Sequence, residues 1–436
     1  MDFFEIIEKK KKGQQLNNEE YLWFIDSLTK GEIKDYQAAA LLMAIYINGV
    51  SDNELFALTK ALVDTSTIIN PIPTNQLHIT IDKHSSGGVG DKVSLIISPI
   101  LAALGYDVVK LSGRGLSFTG GTIDKLEAIG INYEYNPQTF QNYLDKTHLV
   151  LMLQSKDIVP GDKKLYALRD VTGTVDSIPL IAASIMSKKI VINSNYIFLD
   201  VKVGEGAFFK TVSEAEKFSE HVLKISKYFN RKTIIHLTDM SQPLGRTIGN
   251  AIEVEEAIDF LQNKFDSYKL KDLIFQFCAD ILLDTNIVDN IDEGFKKVNE
   301  VIKNGEAYKE FLNYAKVFST NFKMIEDRTF FNPIYRQDIY ATQSGYLNFK
   351  SVSKLGMIAT YLGAGRFKKE DAIDYQAGIK LHFDCLDTNI KVNDLIATLY
   401  SNKPITVETI QMFEDNLVYE QIPNKNQPII LKKIKA

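Results

Sequence analysis

The sequence predicts an α/β protein: a helical domain made from two separate segments, a discontinuous sheet domain beside it, and a C-terminal module of short strands. Three observations predict this. The first 65 residues carry only helical periodicity; the period changes to that of a strand directly after Asn70-Pro71-Ile72-Pro73; and a helical stretch returns between strand-bearing segments after Pro160-Gly161. The 436 residues are 45% hydrophobic and 24% charged, which supplies enough apolar side chain for two or three cores and excludes a disordered chain. A net charge of −5 argues against a nucleic-acid partner, whose phosphates demand an excess of Lys and Arg. No run approaches the length of a membrane span, and the charged first twelve residues do not read as a secretion signal, so a cytoplasmic protein with no membrane partner is expected.

The elements follow in order. Lys9 to Lys12 ahead of Gly13 read as the solvated last turn of a first helix with a glycine stop. Asn17 with Glu20 is a capping pair, after which Tyr21, Phe24, Ile25 and Leu28 recur at helical spacing. Residues 36–46 and 53–63 repeat the pattern, and the two prolines near 70 end it in a linker. Leu77, Ile79 and Ile81 then alternate with polar residues as in a strand. Two similar units follow: a strand at 77–82, a glycine-rich turn and a helix ending near Gly105; then a strand at 107–111, a second such turn and a helix ending near Gly130. Strand, crossover helix, strand implies a parallel sheet, which places both turns at one edge.

A short buried strand is expected at 149–153, helices at 162–171 and 176–189, and strands at 197–203 and 233–237. Tyr346-Leu347, Ile373, Gly378-Ile379 and residues 395–399 mark the strands of the terminal module. Cys278 and Cys385, far apart and beside apolar neighbours, read as buried thiols in a reducing compartment.

The first turn, Lys83-His84-Ser85-Ser86-Gly87-Gly88-Val89-Gly90-Asp91, offers backbone amides, hydroxyls and a lysine ahead of a helix N-terminus, a combination suited to phosphate. Its spacing is neither that of a P-loop nor that of a dinucleotide-binding turn. The second, from Ser112-Gly113-Arg114-Gly115 to Gly120-Gly121-Thr122, repeats the chemistry, so Ser112, Thr122 and Ser94 can surround one anion. On the returning helices Ser184 and Lys188, four apart, share a face that Arg169 can meet, a set suited to a planar group with carbonyls and developing negative charge.

Residues 83–95, 112–127, 166–189 and 239–250 resemble, nearly letter for letter, the motifs of the pyrimidine-nucleoside phosphorylase and thymidine phosphorylase family. The resemblance extends to Asp200-Val201-Lys202-Val203-Gly204, Ser344-Gly345-Tyr346, Gly363-Ala364-Gly365-Arg366 and Ile373-Asp374-Tyr375. It implies reversible phosphorolysis of pyrimidine nucleosides (uridine, thymidine, deoxyuridine) to free base and a pentose 1-phosphate, with inversion at the anomeric carbon. It also implies phosphate as co-substrate, no organic cofactor, a homodimer formed through the helical domain, and an active site in the cleft of a mixed α/β fold that closes about a hinge. The implied phosphate ligands are Lys83, Ser85, Ser94, Lys110, Ser112 and Thr122; the base would lie against Tyr166, Arg169, Ser184 and Lys188. His84 is assigned to donate a proton or hydrogen bond to the base oxygen, and Arg169 and Lys188 to stabilise the departing base anion.

The corresponding domains are 1–68 with 161–191 (helical), 74–155 with 195–335 (phosphate-binding) and 336–436 (terminal module), with hinge candidates at 69–73, 155–160 and 192–196. Lys110 resembles the broad pyrimidine-nucleoside branch more than the thymidine-only branch. The alternatives are a thymidine-specific enzyme, an anthranilate-type phosphoribosyltransferase and an inactive binding protein. Members of the broad branch bind a monovalent cation, at positions matching Gly90, Lys92, Leu244, Thr247 and Glu256. A lysine at 92 implies a built-in ammonium in place of potassium, paired with Glu256 and the carbonyls of Gly90, Leu244 and Thr247, and no metal requirement.

Overall fold

The computed structural model describes residues 1–115, 120–132, 138–153, 158–368, 371–384, 388–423 and 427–435. Four helices open the chain: α1 (Phe3–Lys11), α2 (Asn18–Lys30), α3 (Asp35–Asn48) and α4 (Asp52–Asp64). Then come β1 (Thr80–Ser85), α5 (Val93–Ala103), β2 (Asp107–Ser112), α6 (Thr122–Ala128), α7 (Phe140–Thr147) and β3 (Leu149–Leu153). The second helical segment is α8 (Pro160–Val171) and α9 (Ile178–Val191), followed by β4 (Tyr196–Val203), α10 (Val212–Tyr228), β5 (Thr233–Asp239) and β6 (Thr247–Gly249). A helical run, α11 (Ala251–Leu261), α12 (Tyr268–Asp284), α13 (Ile291–Lys303), α14 (Glu306–Phe318) and α15 (Phe322–Glu326), leads to β7 (Tyr335–Tyr340), β8 (Gly345–Phe349) and α16 (Val352–Leu362). The chain closes with β9 (Gly378–Leu381), β10 (Asn389–Ile390), β11 (Leu395–Ser401), α17 (Val407–Glu414), β12 (Leu417–Glu420) and β13 (Ile430–Lys435).

Local chemistry sets the helical bundle. Asn17 and Glu20 cap α2 reciprocally, Ser51 and Glu54 do the same for α4, and Gly31 ends α2 in the left-handed conformation. α8 packs on α2, α3 and α4, and α9 on α4 and α10, so the two helical segments share a core. The lysine run at the end of α1 departs from a solvated reading at one position. Lys10 is 2% exposed and its Nζ lies 2.6 Å from Glu54 Oε1, because α1 packs on α3 and turns that residue inward. The Glu54 carboxylate also accepts from the backbone N–H of Leu16 and of Ser51, each at 3.0 Å.

Burial alone would raise the Glu54 pKa, but the bonds from Lys10, Ser51 and Leu16 outweigh it and hold it below the ordinary value. Glu54→Gln, which leaves Lys10 a buried cation without its counter-charge, is expected to cost about 3 kcal/mol in urea unfolding at pH 7. A lowered carboxylate pKa stabilises above its unfolded value and is lost as pH falls through the folded one. The gap between wild type and variant should therefore narrow below about pH 4.3.

The main sheet has six strands in the order β13-β5-β4-β1-β2-β3, parallel except for the antiparallel edge strand β13. The chain runs outward from β1 through β2 to β3, then returns to the other side of β1 with β4 and β5. The order therefore reverses between β1 and β4, and in open α/β sheets that reversal is where a crevice opens at the C-terminal strand ends. β1 is shifted from the expected 77–82: Leu77 and Ile79 lie outside it, and it begins at Thr80 and runs on to Ser85. Parallel pairing with β4 continues through Lys83↔Phe198, His84↔Leu199 and Ser85↔Asp200, so these three residues lie in the strand and the turn proper begins at Ser86.

The terminal module holds a three-stranded sheet (β10-β8-β12) and a four-stranded one (β6-β9-β11-β7), over a second apolar core. Its boundary differs from a simple cut at residue 336. β6 lends an edge to the module's sheet, whereas β13 leaves the module to pair with β5. Lys433 and Lys435 fasten β13 to Asp280 and Asp284 on α12. Ile373 lies outside any strand. Cys278 is buried, which pushes its thiol pKa up and keeps it unreactive; Cys385 lies outside the described residues.

Two of the hinge candidates touch each other. Ile69 forms a parallel bridge with Ile192, with Ile69 N–H donating to Val191 O at 2.8 Å and Asn193 N–H to Ile69 O at 2.9 Å. Residues 155–157 of the third lie outside the described residues. No helix among the described residues is long and apolar enough to cross a membrane.

Candidate active site

β1 is covered on both faces, and alternation along it sorts four polar residues into two sets. Asp82 and His84 point one way, Lys83 and Ser85 the other. On the first face the buried Lys189 of α9 donates to Asp82 Oδ1 at 2.9 Å, a link that ties the helical segment directly to the central strand. Its neighbour Lys188 turns back to the helices, where its Nζ contacts Asp162 of α8 and lies 3.1 Å from both the carbonyl and the hydroxyl of Ser184. Tyr166, one turn along α8 from Asp162, is half-buried, and that burial, with the nearby Asp170, pushes its phenol up to about 12. It is neutral at pH 7.

Arg169 is 2% exposed and does not spend its donors on Ser184 or Lys188. Nε reaches Thr174 O at 3.2 Å, Nη1 reaches Leu180 O at 3.2 Å, and Nη2 reaches Val175 O at 2.6 Å. It therefore braces the turn that launches α9, and its positive charge is fixed beside the α9 N-terminus.

His84 sits among cations. Burial first, then Lys189, Lys110, Lys188 and Lys83, hold its pKa well below the ordinary histidine value, so the ring is neutral at pH 7 and donates a hydrogen bond without charge. Its Nδ1 is buried without a hydrogen-bond partner among the described residues, as is the hydroxyl of Ser112 at the end of β2. Lys110, on β2 two residues earlier, is 2% exposed and has no carboxylate within ion-pair distance among the described residues. Burial and the neighbouring Lys189 and Lys83 push its pKa well down, and Asp82 and Asp91 offset this only in part. Because Ile81 pairs with Val108, Lys110 and Ser112 belong with Lys83 and Ser85 rather than with His84, and a buried lysine short of counter-charge beside an unpaired hydroxyl suits an anion.

On that same face Lys83 Nζ lies 3.2 Å from Asp200 Oδ2, and Lys202 Nζ lies 2.8 Å from the same oxygen. Thr238 donates to the other oxygen of Asp200 at 2.6 Å. Ser85 donates to Asp91 at 2.5 Å, and Asp91 accepts from the N–H of Val93 at the start of α5. Burial raises the Asp91 pKa, but Lys202, Lys83 and the Ser85 bond more than reverse it and keep it ionised. Ser94 is buried in the first turn of α5, and Thr122 opens α6 across the second turn; residues 116–119 of that turn lie outside the described residues.

Lys92 ends the first turn and is 1% exposed. Its Nζ lies 2.7 Å from Leu244 O, 3.1 Å from Thr247 O and 3.0 Å from Glu256 Oε2. Gly90 differs from expectation, since its carbonyl accepts the backbone N–H of Lys92 at 2.9 Å rather than the ammonium. Gly90 has φ +79°, and a Cβ there would fall 2.6 Å from Leu244 O, so the turn closes this tightly only with glycine.

The sequence matches known proteins along most of its length. The family model for the α/β domain of a glycosyl transferase family matches residues 77–308, that for its helical bundle domain matches 4–66, and a pyrimidine nucleoside phosphorylase C-terminal domain matches 346–420. A thymidine phosphorylase of Mycoplasmoides pirum is 47% identical, covering 94% of this chain and 98% of that one. A pyrimidine-nucleoside phosphorylase of Bacillus subtilis (strain 168) is 41% identical over 96% of each chain. The chain belongs to the thymidine and pyrimidine-nucleoside phosphorylase family. Among solved structures, anthranilate phosphoribosyltransferase from Thermus thermophilus shares the fold, with a TM-score of 0.57 and 17% identity over 72% of this chain and 99% of that one.

Within this phosphorylase-family chain, four buried charged residues that pair with the predicted site residues or with β1 were given no role by the motifs: Asp162, Lys189, Asp200 and Lys202. Two signals point to three of them. Asp200-Val201-Lys202 places two charges inside an apolar strand, which is tolerated only when they are paired, and Asp162 stands four residues before Tyr166 on one helix face.

Proposed function

We propose that this protein catalyses the reversible phosphorolysis of pyrimidine nucleosides, giving the free base and a pentose 1-phosphate. The observation that carries the reading is the arrangement about β1. Lys110 and Ser112 of β2 lie on the same face of the sheet as Lys83 and Ser85, a buried lysine without a carboxylate partner beside an unpaired hydroxyl, and Lys189, bonded to Asp82 on the other face, ties the central strand to the helix that carries Ser184 and Lys188.

Phosphate at Lys83, Ser85, Ser94, Lys110, Ser112 and Thr122 is the nucleophile. The base lies against Tyr166, Arg169, Ser184 and Lys188. As the glycosidic bond breaks, negative charge grows on the base, where Lys188 and the charge of Arg169 stabilise it, and positive charge grows on the sugar, opposite the phosphate. Neutral His84 donates a hydrogen bond to the base oxygen, and the arriving phosphate dianion raises its pKa toward neutrality. Base release from uridine, thymidine and deoxyuridine, followed by ultraviolet absorbance with and without phosphate, tests the reading. Phosphate-independent release, or none with any of the three, would sink it. Activity on thymidine alone would assign the narrower specificity.

The same proposal includes a cytoplasmic enzyme that works without potassium. The residues at 92, 244, 247 and 256 do not fit a potassium ion, because the Lys92 ammonium stands where the carbonyls of Leu244 and Thr247 converge with Glu256. Wild-type rates should be unchanged when potassium is exchanged for a bulky organic cation at constant ionic strength, and Lys92→Thr should become potassium-dependent. Loss of wild-type activity on removing potassium would contradict this.

A homodimer through α3 completes it. That helix buries Leu41, Leu42 and Ile45, yet leaves Tyr36, Met43 and Ile47 exposed on its other side, an apolar stripe that a second copy would cover. Ile47→Glu is expected to shift the sedimentation profile toward monomer, and an unchanged profile would remove α3 from the interface.

A further inference from the structure

The terminal module touches both glycine-rich turns. Val89 of the first turn is 1% exposed and belongs to the module's apolar core, with Val352 and Ile379. The contact with the second turn is polar. Asp124 of α6 is 1% exposed, and its Oδ2 accepts from the N–H of Gly115 at 2.5 Å and of Gly121 at 3.2 Å. One carboxylate thus ties together the two described sides of the turn. Its other oxygen is met by Arg366 Nη1 of the module at 3.2 Å, while Arg114 stands further off at 3.5 Å.

A second grip lies one helical turn along. Glu127 accepts from the hydroxyl of Tyr375 at 2.8 Å and holds Arg114 through bonds of 2.5 and 2.6 Å. The segment bearing Arg366 is itself anchored by Asn250, which donates to Ala364 O at 2.8 Å.

We propose that Arg366 and Tyr375 are positioning residues for phosphate: acting through Asp124 and Glu127, they hold the described flanks of the second glycine-rich turn, with Ser112 on one side and Thr122 on the other, in place for the anion. The inference rests on phosphate binding at that turn. A buried carboxylate that grips two backbone amides keeps its geometry only while its charge is balanced, and Arg366 supplies the balance from outside the α/β domain. Displacing such a turn by an ångström weakens the alignment of the nucleophile without altering the base-binding residues on α8 and α9.

The test is steady-state phosphorolysis by the full chain, with phosphate and nucleoside varied separately. Arg366→Ala is expected to raise the KM for phosphate about tenfold and to leave the KM for nucleoside within about twofold. Arg366→Lys, which keeps a cation, should recover part of the loss, and Tyr375→Phe should move the same constant by less. Gln376→Ala, which breaks bonds to Phe330 and Asn332 in the same segment, should leave the phosphate KM unchanged. An unchanged phosphate KM in Arg366→Ala, an equal rise in both constants, or the same effect from Gln376→Ala would overturn the proposal. If Arg366→Ala does not fold, Tyr375→Phe decides it by the same split. Lys83→Ala measured alongside separates the two levels: if it too leaves phosphate dependence intact, the phosphate assignment fails; if it alone impairs phosphate use, only the positioning role fails.

Discussion

Replacing Lys83 by alanine is expected to lower kcat/KM for phosphorolysis by about 2–4 kcal/mol of transition-state free energy, the largest single effect anticipated in the site. The lysine is fully buried against Asp200, beside Ser85 and the Asp91 carboxylate. Burial lowers its pKa and Asp200 and Asp91 pull it back, so the charge survives by pairing. A charge already desolvated and fixed needs little reorganisation when phosphate arrives, which is why its loss should exceed that of an exposed lysine. Asp200 keeps Lys202 and Thr238 in the variant, so the thermal midpoint should fall far less than the activity does. Phosphorolysis at a near-normal rate would show that Lys83 serves the fold rather than the phosphate.

The second large effect is expected at Lys188. Lys188→Ala should reduce kcat as well as raise the KM for nucleoside, by about 2–4 kcal/mol in kcat/KM, because the charge it faces grows only as the bond breaks. Arg169→Ala should do the same. The geometry separates the two, since Arg169 also braces the carbonyls of Thr174, Val175 and Leu180 and its removal should lower the thermal midpoint. Lys188, held by Asp162 and Ser184 at the rim of the helical segment, is the cleaner probe. Asp162→Asn should impair turnover partially by releasing that ammonium. A rise in the nucleoside KM with kcat unchanged in Lys188→Ala would mean that it binds ground state and transition state alike.

Motif reading reached the residues that stand in glycine-rich or hydroxyl-rich runs, because those runs have a local purpose: the approach of backbone to an anion, or the capping of a helix. It did not show which residues pair with them. Asp200 and Lys202 come from β4, 117 residues beyond Lys83 in the case of Asp200, and only the parallel register that sets Ser85 against Asp200 brings them together. Arg169 was legible as a cation on the helix before α9, but that its donors go to three backbone carbonyls rather than toward Ser184 depends on how the turn at 174–180 folds back. Lys10 looked solvated within a lysine run because local sequence says nothing of which face α3 covers.

Sequence by itself determined the helical segments, the passage from helices to a sheet after Pro73 and the parallel units. Each rests on short-range physics: side-chain spacing, capping, and the conformations open to glycine and proline. Tertiary structure alone decided that β1 runs on to Ser85, that β13 returns to the main sheet, that Lys189 rather than Lys188 meets Asp82, and that the terminal module grips Asp124 and Glu127. Those outcomes are pairings between residues far apart in the chain. Buried charges must find opposite charges wherever packing places them, and that placement is a property of the whole fold rather than of any segment.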